Sequence, residues 1–393
     1  MELLAIFFWV SLAILFYSYI GYGVVAFVLV KMKAAISGKK PGQIADSDSE
    51  SPAVTLLVAA YNEKECIAEK VANSFALDYP KEKLKLLFIT DGSTDGTPAE
   101  LRKYERIQVL HEDKRAGKIG AINRAMKFVD TPIVVFSDAN TMFNATAIKE
   151  LVKHYQNPNV GAVSGEKRIK QIGADSSSGA GEGLYWKYES FLKKLDSDLY
   201  SIVGAAGEMF SIRTELFEEV ERDTILDDFI ISLRIAGKGY RVVYEPNAYA
   251  LETPSASIKE EMKRKVRISA GGFQSIARLK ALLNPLKYGM LSFQYISHRV
   301  LRWAVDPFLL IALLPANYAL MIHRGGLYTV LFWAQILFYG MTLLNWYFET
   351  KNIQVKPLFV PFYFSMMNAA AVLGFFRWAR GRQSVLWERA SRA

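Results

Sequence analysis

LKLLFITDGSTDGT, residues 84–97, is the stretch whose reading decides the fold. Its first half is a short apolar run of the kind that forms a buried strand. Its second half is all turn formers, opening on Asp91 and closing on Gly96-Thr97. A second run, IVVFSD at 133–138, ends the same way, in Asp138. Open α/β sheets bind ligands outside the carboxyl ends of their strands, where loops and helix N-termini converge. Two strands that each end in aspartate are the outline of a nucleotide-diphosphate site, with Asp91 and Asp138 on its rim.

Outward from there the pattern repeats. AVTLLVA at 53–59 is another continuous apolar run, and it leads into Ala60-Tyr61-Asn62-Glu63. Parallel strands buried on both faces read in this way. A helix follows to about Ser74, and another is expected from Thr97-Pro98, with threonine as cap and proline at the first helical position. Strand and helix in alternation imply a mostly parallel sheet. Residues 51–256 form the expected globular domain, of common size, and the Gly-, Ser- and Asp-bearing stretch 34–50 is the expected linker before it.

Composition places that domain beside a membrane. The chain is 51% hydrophobic yet 22% charged, so its apolar excess must be segregated. Leu3 to Val30 contains no charge, and about 20 apolar residues suffice for a helix to cross a bilayer core. It reads as an anchor over 1–33, because its apolar core is too long for a cleaved signal and no small-residue cleavage site precedes the basic cluster. Lys31, Lys33, Lys39 and Lys40 follow it, which puts the central domain in the cytoplasm of a multi-pass protein of the inner or plasma membrane. The single cysteine, Cys66, forms no intrachain disulfide and agrees with a reducing compartment. A net charge of +9 suits anionic lipid and phosphorylated substrates, and no nucleic-acid module is present.

Eight short motifs occur in order: AAYNE (59–63), TDGSTDGT (90–97), RAGKIGAIN (115–123), SDAN (137–140), GLYWKYE (183–189), GAAGEMFSIR (204–213), ILDDF (225–229) and RKVR (264–267). Together they resemble the family-2 glycosyltransferases, and the later four resemble the membrane-embedded branch that includes cellulose, chitin and hyaluronan synthases. The resemblance implies an α/β, Rossmann-like GT-A nucleotide-sugar domain in the cytoplasm, joined to transmembrane and interfacial helices. It implies a metal-dependent, inverting hexosyltransferase that uses a UDP-sugar and builds a glycan.

Residue by residue, the chemistry demands what these motifs offer. A departing diphosphate gathers negative charge, so the site must supply positive charge or a metal. Asp138 and Asn140 lie on one side of an extended chain and present hard oxygens to Mg²⁺ or Mn²⁺; the family usually has two carboxylates there. Lys118, in a Gly-flanked loop, is a candidate phosphate contact. By resemblance Asp91 contacts the uracil base together with Ala60, Tyr61 and Glu63, whereas Asp95 reads as a turn residue. An attacking hydroxyl needs a base, and Asp228 stands at the family's position for it, beside Asp227. Gly207, Glu208, Asp227 and Trp186 are assigned to the acceptor, Trp186 as a ring to stack on a sugar. Arg267 stands where processive relatives carry the arginine of a Gln, two spacers, Arg, Trp pattern and would pair with the diphosphate; here Arg264 replaces the glutamine and Ile268 the tryptophan.

Residues 257–305 are expected as interfacial amphipathic helices, 306–376 as membrane segments and 377–393 as a basic tail. Three spans after Lys280 would leave that arginine-rich tail outside, against the positive-inside bias. Asp306-Pro307 resembles a helix start, so a re-entrant or interfacial piece, two spans and a cytoplasmic tail are expected. Two other functions stay open: transfer of one sugar to a lipid-linked acceptor, and a nucleotide-sugar-binding subunit working with other subunits of a glycan synthesis or export system.

Overall fold

In the computed structural model, which describes residues 1–38, 51–170, 177–253, 257–351, 353 and 355–384, the three runs read above lie side by side. β1 (Val54–Ala60) is flanked by β2 (Leu84–Asp91) on one side and β4 (Ile133–Asp138) on the other, all parallel. β3 (Ile107–Glu112) extends the sheet beyond β2. The chain thus leaves β1 first toward β2 and later returns on its other side. The crevice between the ends of β1 and β4 is the switch point where such sheets bind ligands.

Beyond β4 the sheet turns mixed: β7 (Met209–Arg213) is antiparallel to β4 and to β6 (Val160–Ile169), which runs parallel to β8 (Arg241–Glu252), with the two-residue β5 (Met142–Phe143) at the edge. Every residue of β1 is buried, Leu57 and Ala59 in one core and Leu56 and Val58 in the other. That two-sided burial is why β1 is apolar without alternation.

Nine helices carry the argument. α1 (Glu2–Ser37) precedes the domain; α2 (Lys64–Phe75), α3 (Lys118–Met126), α4 (Ser177–Leu199) and α5 (Asp227–Gly237) belong to it. α6 (Ile258–Arg278) lies across it, and α7 (Met290–Arg324), α8 (Leu327–Thr350) and α9 (Lys356–Ala379) complete the chain. Among the described residues α1, α7, α8 and most of α9 are long and apolar enough to cross a membrane. Most of the linker expected at 34–50, including Lys39 and Lys40, lies outside the described residues, as do Arg389 and Arg392.

One expectation about the membrane part is corrected. The segment after Asp306 is no re-entrant piece: α7 is continuous, and Arg324 at its far end pairs with Glu2 at the start of α1. Asp306-Pro307 leaves its mark instead as π-helical turns over Ile296–Val305, a local adjustment that keeps the helix intact. α9, apolar enough to span as expected, also runs alongside α6. Phe359, Phe362 and Met366 pack with Ile258 and Met262, a Cβ on Gly374 would lie 2.6 Å from Ser269 Cβ, and Trp378 stacks on Phe273 at 5.9 Å. The tail therefore returns to the catalytic domain, with no need to strand its arginines on the far side.

A buried ionic network fastens the membrane helices to the domain. Asp196 of α4 takes a hydrogen bond from Tyr22 of α1 and contacts His298 Nδ1 of α7 at 2.6 Å. Glu189, also on α4, pairs with Arg299 at 3.0 Å and Arg302 at 2.6 Å. Buried charges persist only where partners satisfy them, and here the partners of the α4 acids come from two other helices.

Candidate active site

The turn after β1, the end of β4, the loop before β7, the start of α5 and one face of α6 line a cavity of about 840 Å³, within the range of small-molecule sites. Glu63, Lys118, Asp138, Asn140, Gly207, Glu208, Asp227, Asp228 and Arg267 all line it. A smaller recess beside it is walled by Ala60, Tyr61, Asp91, Arg115 and Lys118. Motifs up to 200 residues apart in sequence thus converge, with Trp186 the exception.

Loop geometry explains the first two motifs. Asn62 has φ 53°, and its amide oxygen accepts from Thr94 N–H at 2.8 Å while Ser93 Oγ accepts from Asn62 N–H at 3.1 Å. The turn after β1 is therefore sewn to the turn after β2. Asp95 is structural, as expected: its carboxylate accepts from the backbone of Lys64 and Thr97. Asp91 is mainly committed elsewhere than the sequence implied. Its two oxygens accept from Ala116 N–H at 3.0 and 2.9 Å and from Gly117 N–H at 2.7 Å, so its carboxylate holds the RAGK loop in place. The planar surface in the recess is Tyr61, with the Arg115 guanidinium 3.7 Å from its ring centre.

At the tip of β4 the charges interlock. Lys118 Nζ lies 2.7 Å from Asp138 Oδ1 and 3.7 Å from Asp227 Oδ2. Burial alone would lower the pKa of Lys118, but Asp138 and Asp227 outweigh it and raise it. Behind the SDAN loop, fully buried Lys70 donates to Ser137 Oγ and to the Thr141 carbonyl, each at 2.6 Å. The motif reading missed this lysine; its place beside Ile67 and Val71 on the buried face of the helix was its only signal.

Asn140 lines the cavity next to Asp138, so the two family positions for metal ligands are adjacent here as one carboxylate and one amide. Among the described residues no group of three or more His, Cys, Asp or Glu forms a ready cage. This donor set fits a hard divalent ion that takes most of its ligands from a diphosphate and from water, the habit of Mg²⁺.

Across the cavity, Asp227 and Asp228 open α5, where the helix N-terminus favours negative charge. Burial and the neighbouring Asp227 push Asp228 up to about 7, with Lys118 acting against them. A carboxylate near neutrality is suited to take up a proton at physiological pH. kcat/KM is accordingly expected to climb with pH up to about 7 and then level off, and Asp228→Asn is expected to abolish that acid limb in a pH–rate profile. A Cβ on Gly207 would sit 3.0 Å from Asp228 Oδ2. Gly207→Ala is therefore expected to cost about ten- to a hundredfold in kcat, because small displacements of a reacting group are expensive; an unchanged Tm would show that the loss is local.

Glu208 keeps its charge through Lys167, 2.6 Å away and itself buried: burial raises its pKa, and the lysine more than reverses this. Trp186 does not stand on the cavity wall. Its ring lies between the ammonium groups of Lys167 and Lys265, at 5.1 and 5.5 Å, one layer behind Glu208. The stacking role expected for it is corrected to packing around the lysine that serves Glu208.

Arg267 faces the aspartates from α6. Burial lowers its pKa, while Asp227, Asp138 and Asp228 pull it back up, and its Nε has no hydrogen-bond partner among the described residues. A buried donor left unpaired is costly, and in a cavity it marks the place of a missing acceptor. Arg264 is instead engaged by Glu261 at 3.0 Å. Ile268, Arg377 and Arg382 complete this wall.

Residues 55–221 match the family described as Glycosyl transferase family 2. The poly-beta-1,6-N-acetyl-D-glucosamine synthase of Staphylococcus aureus (strain COL) is 29% identical over 253 residues, which is 61% of this chain and 58% of that protein. The chain's match thus spans less than two thirds of the length of that relative. The synthase of the same name from Staphylococcus epidermidis is 25% identical over 347 residues, 82% of each. Among solved structures, the mannosyltransferase PcManGT from Pyrobaculum calidifontis, in complex with GDP-Man and Mn²⁺, aligns with TM-score 0.69 over 96% of this chain and 99% of its own, at 23% identity. That likeness shows the same fold across domain and membrane helices.

Proposed function

We propose, on the match of residues 55–221 to the family 2 glycosyltransferases, that this chain is a membrane-bound inverting hexosyltransferase. It transfers a sugar from a UDP-sugar to a growing glycan at the membrane surface, with the catalytic domain in the cytoplasm. The observation that carries the reading is the placement of Asp228 and Arg267 on one cavity, a base near neutrality facing a guanidinium with an unused buried donor.

The steps follow from those groups. The acceptor hydroxyl gives its proton to Asp228 as its oxygen bonds to the anomeric carbon. The bond from that carbon to the phosphate oxygen breaks, and the diphosphate departs with the electron pair. Attack opposite the leaving group inverts the configuration, so an α-linked donor yields a β-linkage. Arg267 and Lys118 receive the charge gathering on the diphosphate, where fixed donors are worth most. A divalent ion held by Asp138 and Asn140 would add positive charge there. Tyr61 and Arg115 offer the base a planar contact, Glu63 and the Ala60 backbone close that end, and Glu208 and Gly207 line the acceptor side.

The polysaccharide-synthase relatives support glycan synthesis and make UDP-N-acetylglucosamine the first donor to test. Orientation is supported by charge: Lys33 at the domain end of α1 donates to the carbonyls of Asp198 and Leu199 at 2.9 and 2.6 Å, and Arg377 and Arg382 return to the same side. A second reading, one sugar added to a lipid-linked acceptor, is favoured by Ile268, which lines the cavity where processive relatives carry tryptophan.

The test is nucleoside-diphosphate release by the purified full chain in detergent, across UDP-N-acetylglucosamine, UDP-glucose, UDP-galactose, UDP-glucuronate and GDP-mannose, with Mn²⁺ or Mg²⁺. Release from one UDP-sugar is expected, and product length on a short primer separates polymer synthesis from single transfer. Release from GDP-mannose alone would overturn the uridine assignment. Binding without release from any donor would overturn the enzyme reading in favour of a nucleotide-sugar-binding subunit.

A further inference from the structure

The ammonium of Lys118 lies on the one carboxylate of the SDAN loop and reaches toward the acid next to the base, 2.7 Å from Asp138 and 3.7 Å from Asp227. It is only 19% exposed, it opens α3 directly after Gly117, and the loop before it is pinned by Asp91. A compact cation therefore already occupies the place that a metal ion would take on Asp138. A lysine four carbons long has the reach and the flexible stem to move from a carboxylate to a phosphate without moving its backbone.

Resting on the nucleotide-sugar reading above, we propose that Lys118 is the resting counter-ion of the donor site: it holds Asp138 until a diphosphate draws it away, and thereby makes metal binding wait for the nucleotide. Two cations cannot share Asp138 at contact distance without strong repulsion, since like charges a few ångströms apart repel most where little water screens them. A metal ion alone must displace Lys118 into a poorer environment. A diphosphate offers the ammonium new oxygens at the moment it frees the carboxylate. Metal and nucleotide then help each other by equal factors, as linkage requires.

The expected result is two opposite changes in one variant. Lys118→Met removes the charge with little change in side-chain length, so Mn²⁺ binding to the full chain without nucleotide, measured by electron paramagnetic resonance of the free ion, should tighten by about tenfold or more. Binding of UDP without metal, by calorimetry, should weaken by about tenfold. Lys118→Gln, whose amide still donates to Asp138, gives the same comparison if the methionine variant does not fold. Mn²⁺ binding that is unchanged or weaker would overturn the proposal, and tighter Mn²⁺ binding with unchanged UDP binding would overturn the transfer of Lys118 to phosphate. Failure of the function itself would look different: wild-type protein would release no diphosphate from any donor, whatever its affinity for Mn²⁺.

Discussion

Asp228→Asn is expected to lower the transfer rate by about 10²–10⁴-fold, the usual worth of a positioned base, while nucleotide binding survives. The substitution keeps size and shape and relieves the repulsion from Asp227 that helps push Asp228 up, so folding has no reason to suffer. The check is donor turnover beside UDP affinity in the same preparation. If Asp228 only dressed the start of α5, the variant would turn over at the wild-type rate and lose at most a few degrees of Tm. That result would remove the base from the mechanism.

Arg267→Met is expected to act on the other half of the reaction. Its Nε is unpaired in a cavity that also holds Asp138, Asp227 and Asp228, so its planar fork is available to a diphosphate. Removing one preorganised donor to a developing anion typically costs about 10²–10³-fold, and kcat/KM should fall by that much. kcat should fall with it, since the charge on the leaving group grows as the bond breaks. Arg267→Lys should recover little, because a single ammonium cannot reproduce the fork. A loss confined to KM would mean that Arg267 serves only to hold the donor.

Legibility from sequence varied with the range of the interaction concerned. Asp138 was placed on the rim because strand ends point to ligands in any open α/β sheet, and Asp228 was singled out by its motif position, since acids at a helix start are common in themselves. Asp91 was placed correctly on the rim, yet its partners, Ala116 and Gly117, lie some 25 residues on, and no local pattern announces a carboxylate spent on a later loop. Trp186 was misread for a related reason: the sequence shows an aromatic, while its neighbours Lys167 and Lys265 arrive from other elements. The membrane part was hardest. Hydropathy marks α9 as a span, and only the structure reveals that it also packs along α6.

That pairing has a practical edge. A protein chemist trimming the chain to a soluble fragment would cut near residue 256 and keep the whole mixed sheet, Asp138 and Asp228 included. The fragment would be a cup with one side missing, because Arg267, Ile268 and the tail arginines arrive on α6 and α9. It should bind nucleotide loosely and catalyse almost nothing. For this protein the lipid-facing helices are masonry of the reaction chamber, and extraction conditions that loosen them will be mistaken for inhibitors.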